Sequence, residues 1–206
     1  MKSILIVVDM QIDFIDGALG TKEAVAIADK VADKIRTFSK ERIFVTLDTH
    51  GDNYLQTLEG KLLPVPHCIK GTKGWEPAPA ILEAIKEVKP SETERIPISC
   101  SQVNFRNRKA PMELLNALEG TQIFEKPGFG SDSLVRHVRE LWEKEPFEIE
   151  LVGLCTDICV VTNALMIRGA LPGAVMRVDA SCCAGVTPEK HEAALETLRS
   201  CQIEVV

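Results

Sequence analysis

The chain has no apolar run near the roughly 18 to 20 residues that a membrane-spanning helix needs. Its first apolar stretch, after Met1-Lys2-Ser3, stops at Asp9. That is shorter than the apolar region of a secretory signal, and no cleavage site follows. No CxxC pair and no framework spacing occur among the seven cysteines, an odd number with Cys182 and Cys183 adjacent. The pattern predicts reduced thiols in a reducing, cytoplasmic compartment. Positive charge is not in excess: the net charge is -6, which argues against a nucleic-acid groove and against an anionic membrane surface as partner. No internal repeat, linker or low-complexity segment interrupts the 206 residues, so 1–206 reads as a single domain. With 45% hydrophobic and 26% charged residues, it has enough apolar material for a sizeable core.

Buried-strand runs and helical patterns alternate along the chain. Strands are predicted at 4–8, 42–47, 121–124, 148–152, 174–178 and 203–206, the first two as continuous apolar, β-rich runs. Helices are predicted at 21–39, 79–88, 112–118, 132–144, 156–167 and 188–200, with Ser131 as the N-cap of the fourth. In the first helix Val25, Ala28, Val31, Ala32, Ile35 and Phe38 recur at helical spacing. Residues 49–79 are rich in Gly, Pro and Asp and read as a long loop region, a length usually tied to function. The stretch 89–108 carries no readable pattern. Strands separated by helices predict an α/β fold, a three-layer α-β-α sandwich around a mainly parallel sheet, with ligands at the carboxyl ends of the strands.

Polar residues of chemical interest fall at those ends. Asp9 directly follows the first strand. Burial there would raise its pKa toward neutrality and fit it to move a proton, although an aspartate at this place also suits a turn or a cap. Gly153-Leu-Cys-Thr-Asp-Ile-Cys159 runs from strand into helix and puts Cys159 in the first helical turn. A helix N-terminus lowers a thiol's pKa and offers free N–H groups to an oxyanion; the alternative is a small buried apolar residue. Lys126, in Glu-Lys-Pro-Gly-Phe-Gly-Ser, would stabilise a thiolate if turned inward, and is otherwise a solvated lysine. Asp48-Thr-His50 places two metal-competent side chains on one side of a strand end, and Glu59 and His67 follow. Two imidazoles and two carboxylates suit a divalent Zn, Fe or Mn ion. Cys68 ranks below them as a ligand, because it would point away from His67. His137 and His191 are expected as surface or capping residues, and Cys182 and Cys183 as packing against the sheet.

Together these segments resemble the isochorismatase-like cysteine hydrolases, and among them the nicotinamidases. The resemblance rests on Val8-Asp9-Met-Gln-Ile-Asp-Phe14, Asp48-Thr-His50, His67-Cys-Ile-Lys-Gly-Thr72, Lys126-Pro-Gly-Phe-Gly-Ser131, Gly153-Leu-Cys-Thr-Asp-Ile-Cys159-Val and Asp179-Ala180. It implies a catalytic triad of Asp9, Lys126 and Cys159, and a cis peptide at Leu154–Cys155 that turns the N–H groups of Cys155 and Cys159 toward an oxyanion. It implies a thioester on Cys159, with release of ammonia from a small-molecule amide. The Asp48, His50, Glu59 and His67 set would hold the metal, zinc foremost, against a pyridine nitrogen, and Phe14 and Phe129 would flank the ring. Nicotinamide is therefore the expected substrate, within pyridine-nucleotide salvage, for a homodimer or homotetramer. The competing expectations keep the triad on another small amide, a carbamoyl compound or an isochorismate-like ether, or make the chain a non-catalytic or redox thiol protein. Relative to many nicotinamidases, the chain lacks a Trp and a second His after Asp48-Thr-His50, and an aromatic before His67; Trp75 is a candidate to compensate.

Overall fold

The structure, a computed structural model, describes residues 2–91 and 118–206. The helix expected at 112–118 and most of the unreadable stretch 89–108 lie outside the described residues. Six strands, β1 (Ser3–Val8), β2 (Ile43–Asp48), β3 (Gln122–Lys126), β4 (Glu148–Leu154), β5 (Met176–Ala184) and β6 (Glu204–Val205), form one sheet in the order β3-β2-β1-β4-β5-β6. Every pairing is parallel. The chain winds outward from β1 to β3, then returns to the middle and winds the other way from β4 to β6. The reversal lies between β1 and β4, the point where such sheets open a crevice at their carboxyl ends.

Parallel strands covered on both faces must be apolar on both, and β1 shows how that divides the core. Leu5 and Val7 join one apolar layer beneath α2 (Lys22–Arg36) and α4 (Pro79–Glu87). Ile4, Ile6 and Val8 join the other, beneath α5 (Asp132–Lys144), α6 (Val161–Ala170) and α7 (Pro188–Ser200). Two short helices, α1 (Ile12–Ile15) and α3 (Leu58–Leu62), lie in the connections. Each fully buried Ile or Leu contributes about 1.5–3 kcal/mol, so the two layers dominate the stabilisation.

Helix starts are set by local caps. Thr21 accepts a hydrogen bond from the Ala24 N–H (3.0 Å), Ser131 from Leu134 (3.2 Å) and Thr187 from Lys190 (3.3 Å). Val31, Ala32 and Ile35 of α2 are buried as expected, but the first turns differ from the expected stripe. Ala24 and Ile27 are buried, whereas Val25 is 51% exposed, because the apolar face turns through Ala24, Ile27 and Val31. The 49–79 segment is not a bare loop: Thr57 caps α3 by accepting from Gly60 N–H (3.0 Å), and 3-10 turns form at Tyr54–Gln56 and Lys73–Trp75. The strand expected at 174–178 runs on to Ala184. His137 is buried rather than surface-exposed, packed on the rings of Phe44 and Phe124 (centroids 5.7 and 5.6 Å). Cys182 and Cys183 are buried within β5 itself.

Candidate active site

Strand register brings the polar residues together. Val8 pairs with Thr46 and with Gly153, and Asp48 with Lys126, so the last residues of four neighbouring strands face one mouth. Asp9 follows β1 in the left-handed region (φ 48°) and is wholly buried. Its Oδ1 accepts from Thr46 Oγ1 (2.6 Å), and its Oδ2 lies 2.6 Å from Lys126 Nζ. Lys126 is the last residue of β3, not a residue beyond the strand, and its side chain is 1% exposed. The same Nζ approaches Asp48 Oδ1 (3.3 Å), donates to Gly128 O (3.0 Å) and reaches Cys159 Sγ (3.4 Å). An ammonium thus stands between two carboxylates and a sulfur.

β4 leads into the turn that carries Cys159. Gly153 sits at φ 117°, where a side chain is strained, and a Cβ there would lie 2.1 Å from Val8 O. The Leu154–Cys155 peptide is cis. Cys155 O then accepts from the N–H groups of Ile158 and Val160 (3.0 and 3.1 Å), and Thr156–Val160 forms a π-helical turn ahead of α6. Such turns recur at functional sites. Asn163, fully buried one turn on, locks this piece to the Lys126 loop. Its Oδ1 accepts from Ser131 N–H (2.9 Å), and its Nδ2 donates to Cys159 O (2.8 Å) and Phe129 O (3.2 Å).

Electrostatics here run against the expectation for a cysteine at a helix start. Burial pushes the Cys159 thiol well up, Asp9 reinforces this, and Lys126 opposes it without prevailing. Burial also raises Asp9, against the pull of Lys126 and with help from the Asp48 charge. Lys126 stays an ammonium: burial opposes its charge, but Asp9, Cys159 and Asp48 together hold its pKa above the ordinary lysine value. The resting arrangement is a neutral thiol beside a carboxylate with an elevated affinity for its proton. Cys155 is likewise pushed up by burial, to about 12.

Asp48 faces both ways. Its Oδ2 lies 2.9 Å from His50 Nε2 and 3.5 Å from His67 Nε2, and one donor atom from each of the three residues falls within 4.8 Å of the others. Glu59 Oε1, from α3, stands 3.8 Å from both imidazole Nε2 atoms. Donors bound at roughly 2.0–2.2 Å around one tetrahedral ion lie roughly 3.3–3.6 Å apart; the carboxylate-to-imidazole distances here, 2.9 to 3.8 Å, bracket that spacing. The His50 Nε2 contact with Asp48 lacks hydrogen-bond alignment, so among the described residues this buried nitrogen has no hydrogen-bond partner. His67 Nδ1 is 2.8 Å from Val65 O, a contact that fixes the ring with Nε2 turned to the cluster. The four residues fit a divalent cation such as zinc. Burial would raise Asp48, but the two imidazoles and Lys126 hold it far below the usual carboxylate range. Cys68, at φ 46°, donates its N–H to Asp13 Oδ2 (2.7 Å) and lies outside the cluster.

Around these donors, Tyr54 packs on His50 and His67 (centroids 4.8 and 5.0 Å), and Phe14 on His67 (5.5 Å). Phe129 is 52% exposed. Trp75 is completely buried, its Nε1 donating to Thr49 Oγ1 (2.9 Å), so it supports the β2 end from beneath.

The isochorismatase domain model matches residues 3–96 and 96–206. The chain belongs to the isochorismatase family. Within that family it is similar to the nicotinamidase/pyrazinamidase of Mycobacterium tuberculosis, 27% identical over 98% of this chain and 97% of that one. The nicotinamidase/pyrazinamidase of Bacillus subtilis superposes with a TM-score of 0.73 at 25% identity, covering 100% of both chains. A pyrazinamidase from Pyrococcus horikoshii, solved in complex with zinc, shares the fold with a TM-score of 0.66 at 24% identity, over 100% of this chain and 99% of that one.

The expected positions Asp9, Lys126, Cys159, Asp48, His50, Glu59 and His67 of this isochorismatase-family chain meet at one mouth, with Phe14 beside them. The sequence pattern did not single out Thr46, Tyr54, Gln11 or Asn163; Thr46, Gln11 and Asn163 each bond partners more than 30 residues away. The available signal for Gln11 was its place two residues after Asp9.

Proposed function

We propose that the chain is a metal-assisted cysteine amidohydrolase that deamidates nicotinamide or a close pyridine carboxamide. One observation carries the reading: Lys126 Nζ lies 2.6 Å from Asp9, 3.4 Å from Cys159 and 3.3 Å from Asp48, the carboxylate that also borders the imidazole cluster. Reacting groups and ring-binding donors are thereby one connected unit.

Asp9 accepts the Cys159 thiol proton as Sγ attacks the carboxamide carbon. The raised proton affinity of the buried Asp9 supports this role. The Cys155 and Cys159 N–H groups receive the oxyanion beyond the cis peptide. Asp9 passes the proton to the departing nitrogen, ammonia leaves, and a thioester remains on Cys159. Asp9 then takes a proton from water as it attacks the thioester, and the acid departs with the thiol restored. Lys126 keeps its charge throughout and balances carboxylate and thiolate in turn. A divalent ion held by Asp48, His50, Glu59 and His67 would bind the pyridine nitrogen and orient the carboxamide. Phe14 packs on one side of the ring, with Phe129 at the entrance.

The same proposal makes residues 1–206 one catalytic domain acting in the cytoplasm, assembled as a homodimer or homotetramer. The test is ammonia and acid release from nicotinamide and pyrazinamide by the zinc-loaded protein. Cys159→Ala is expected to lower turnover by roughly 10³-fold or more. Absence of ammonia from both substrates would overturn the substrate assignment, and turnover that survives in Cys159→Ala would overturn the mechanism.

A further inference from the structure

The residue that joins the two halves of this site is Gln11. It is completely buried, and all of its polar groups are engaged. Its backbone N–H donates to Asp9 O (2.8 Å), closing the sharp turn in which Asp9 takes its positive φ. Its side chain grips the main chain of Asp48 from both directions: Oε1 accepts from Asp48 N–H (2.7 Å) and Nε2 donates to Asp48 O (2.9 Å). The second Nε2 proton goes to Trp75 O (2.8 Å). Asp48 is the last residue of β2, beyond the ladder with β1, which ends at Thr46. On the β1 side its backbone is therefore held by a side chain and not by a strand.

We propose that Gln11 is a positioning residue that fixes Asp48, and through it sets zinc affinity and Lys126 placement together. The inference rests on the metal-assisted reading above. It follows from the double duty of Asp48, whose Oδ2 faces His50 and His67 while Oδ1 faces Lys126. A shift of the Asp48 backbone moves both oxygens at once. Among the four donor residues, Asp48 is the one whose carboxylate borders both the imidazoles and Lys126. Gln11 itself touches neither the reacting atoms nor the donor atoms of the cluster.

The experiment compares wild type, Gln11→Ala and the equal-sized Gln11→Glu. The latter keeps an acceptor for Asp48 N–H but sets oxygen against the carbonyls of Asp48 and Trp75. Zinc dissociation constants are measured with a competing chromophoric chelator, and kcat is measured at saturating zinc. The expected result is a loss of zinc affinity of about 10- to 100-fold, the range for residues that orient ligands, in both variants. A fall in kcat that saturating zinc does not restore is also expected. A merely structural role would lower thermal stability yet leave kcat intact once zinc is saturating. Should Gln11→Ala fail to fold, Gln11→Glu still carries the measurement. Zinc affinity equal to wild type, or kcat fully restored by zinc, would overturn the inference. Wild type that binds no zinc would instead overturn the site reading beneath it.

Discussion

Lys34 on α2 and Lys126 at the end of β3 each stand between two carboxylates supplied by the sheet. Lys34 Nζ lies 2.7 Å from both Glu150 and Asp179, with its side chain one-quarter exposed. Lys126 Nζ lies 2.6 Å from Asp9 and 3.3 Å from Asp48, with all three side chains at 5% exposure or less. The ingredients match, but Asp179 beside Lys34 and Asp9 beside Lys126 respond in opposite directions. Burial works against Asp179, yet its bonds to Lys34 and Ser181 win and its pKa falls. At Asp9 burial wins over Lys126, and the pKa rises. Some water at Lys34 lets a salt bridge settle into a stabilising pair. Its exclusion at Lys126, with a second carboxylate and a thiol close by, leaves a carboxylate that binds a proton readily. Proton transfer needs the second environment.

Neutralising each lysine separates the two cases most sharply. Lys126→Met is expected to lower amide turnover by roughly 10²–10⁴-fold, the scale of a lost proton-transfer arrangement. Lys34→Met should leave turnover unchanged and cost about 1–2 kcal/mol of stability, after discounting for screening. Steady-state kinetics and urea unfolding of both variants check the pair. Equal turnover losses would erase the distinction drawn here.

An intermediate effect is expected at Asn163, which tethers the Lys126 loop to the nucleophile turn. Asn163→Asp keeps the acceptor for Ser131 N–H and loses the donors to Cys159 O and Phe129 O. Displacement of the sulfur from the ammonium is expected to reduce kcat by about 10- to 100-fold with KM little changed. A variant that changes KM alone would place Asn163 on the binding side.

The smallest effect concerns acid. Because the folded pKa of Asp179 lies below its unfolded value, its stabilisation is complete above roughly pH 4, the ordinary aspartate range. It is lost as pH falls through the lowered folded value. Asp179→Asn should therefore flatten the fall in stability below pH 4 and leave its slope above pH 5 as in wild type. Urea midpoints from pH 2.5 to 7 measure it, and an unchanged acid limb would contradict the assignment.

Features written locally were legible in the sequence. The Ser131 cap and periodicity of α5 and the Pro188 start of α7 depend on residues a few positions apart, and their bounds agree with expectation. The order of strands and helices gave the parallel sheet by the same logic, and family motifs brought the catalytic and metal-ligating positions to attention. What escaped depends on distant partners. The start of the α2 stripe reads one residue late, at Val25 and Ala28 instead of Ala24 and Ile27, because Val25 is as apolar as its buried neighbours. Glu59 was read in a loop because α3 has only five residues, too few for a periodic signal. His137 was expected at the surface because the rings that enclose it, Phe44 and Phe124, come from two other strands. Gln11 clasps Asp48 and Trp75 across separations of 37 and 64 residues, which no local pattern announces. The thiol was expected to be acidified by its helix, but the depth of its burial overrides that field and is set by the whole fold.

The bare backbone at Gly153 has a further consequence. Strands β1 and β4 meet there with no side chain between them, so main-chain contact alone sets the gap between the strand that delivers Asp9 and the strand that leads to Cys159. On the proposed function, that gap acts as a ruler for the bond-breaking chemistry. The imidazoles and Glu59 hang instead from the connections beyond β2. On the same proposal, a scaffold divided in this way would be able to change which ring it selects while keeping the same means of cleaving the amide.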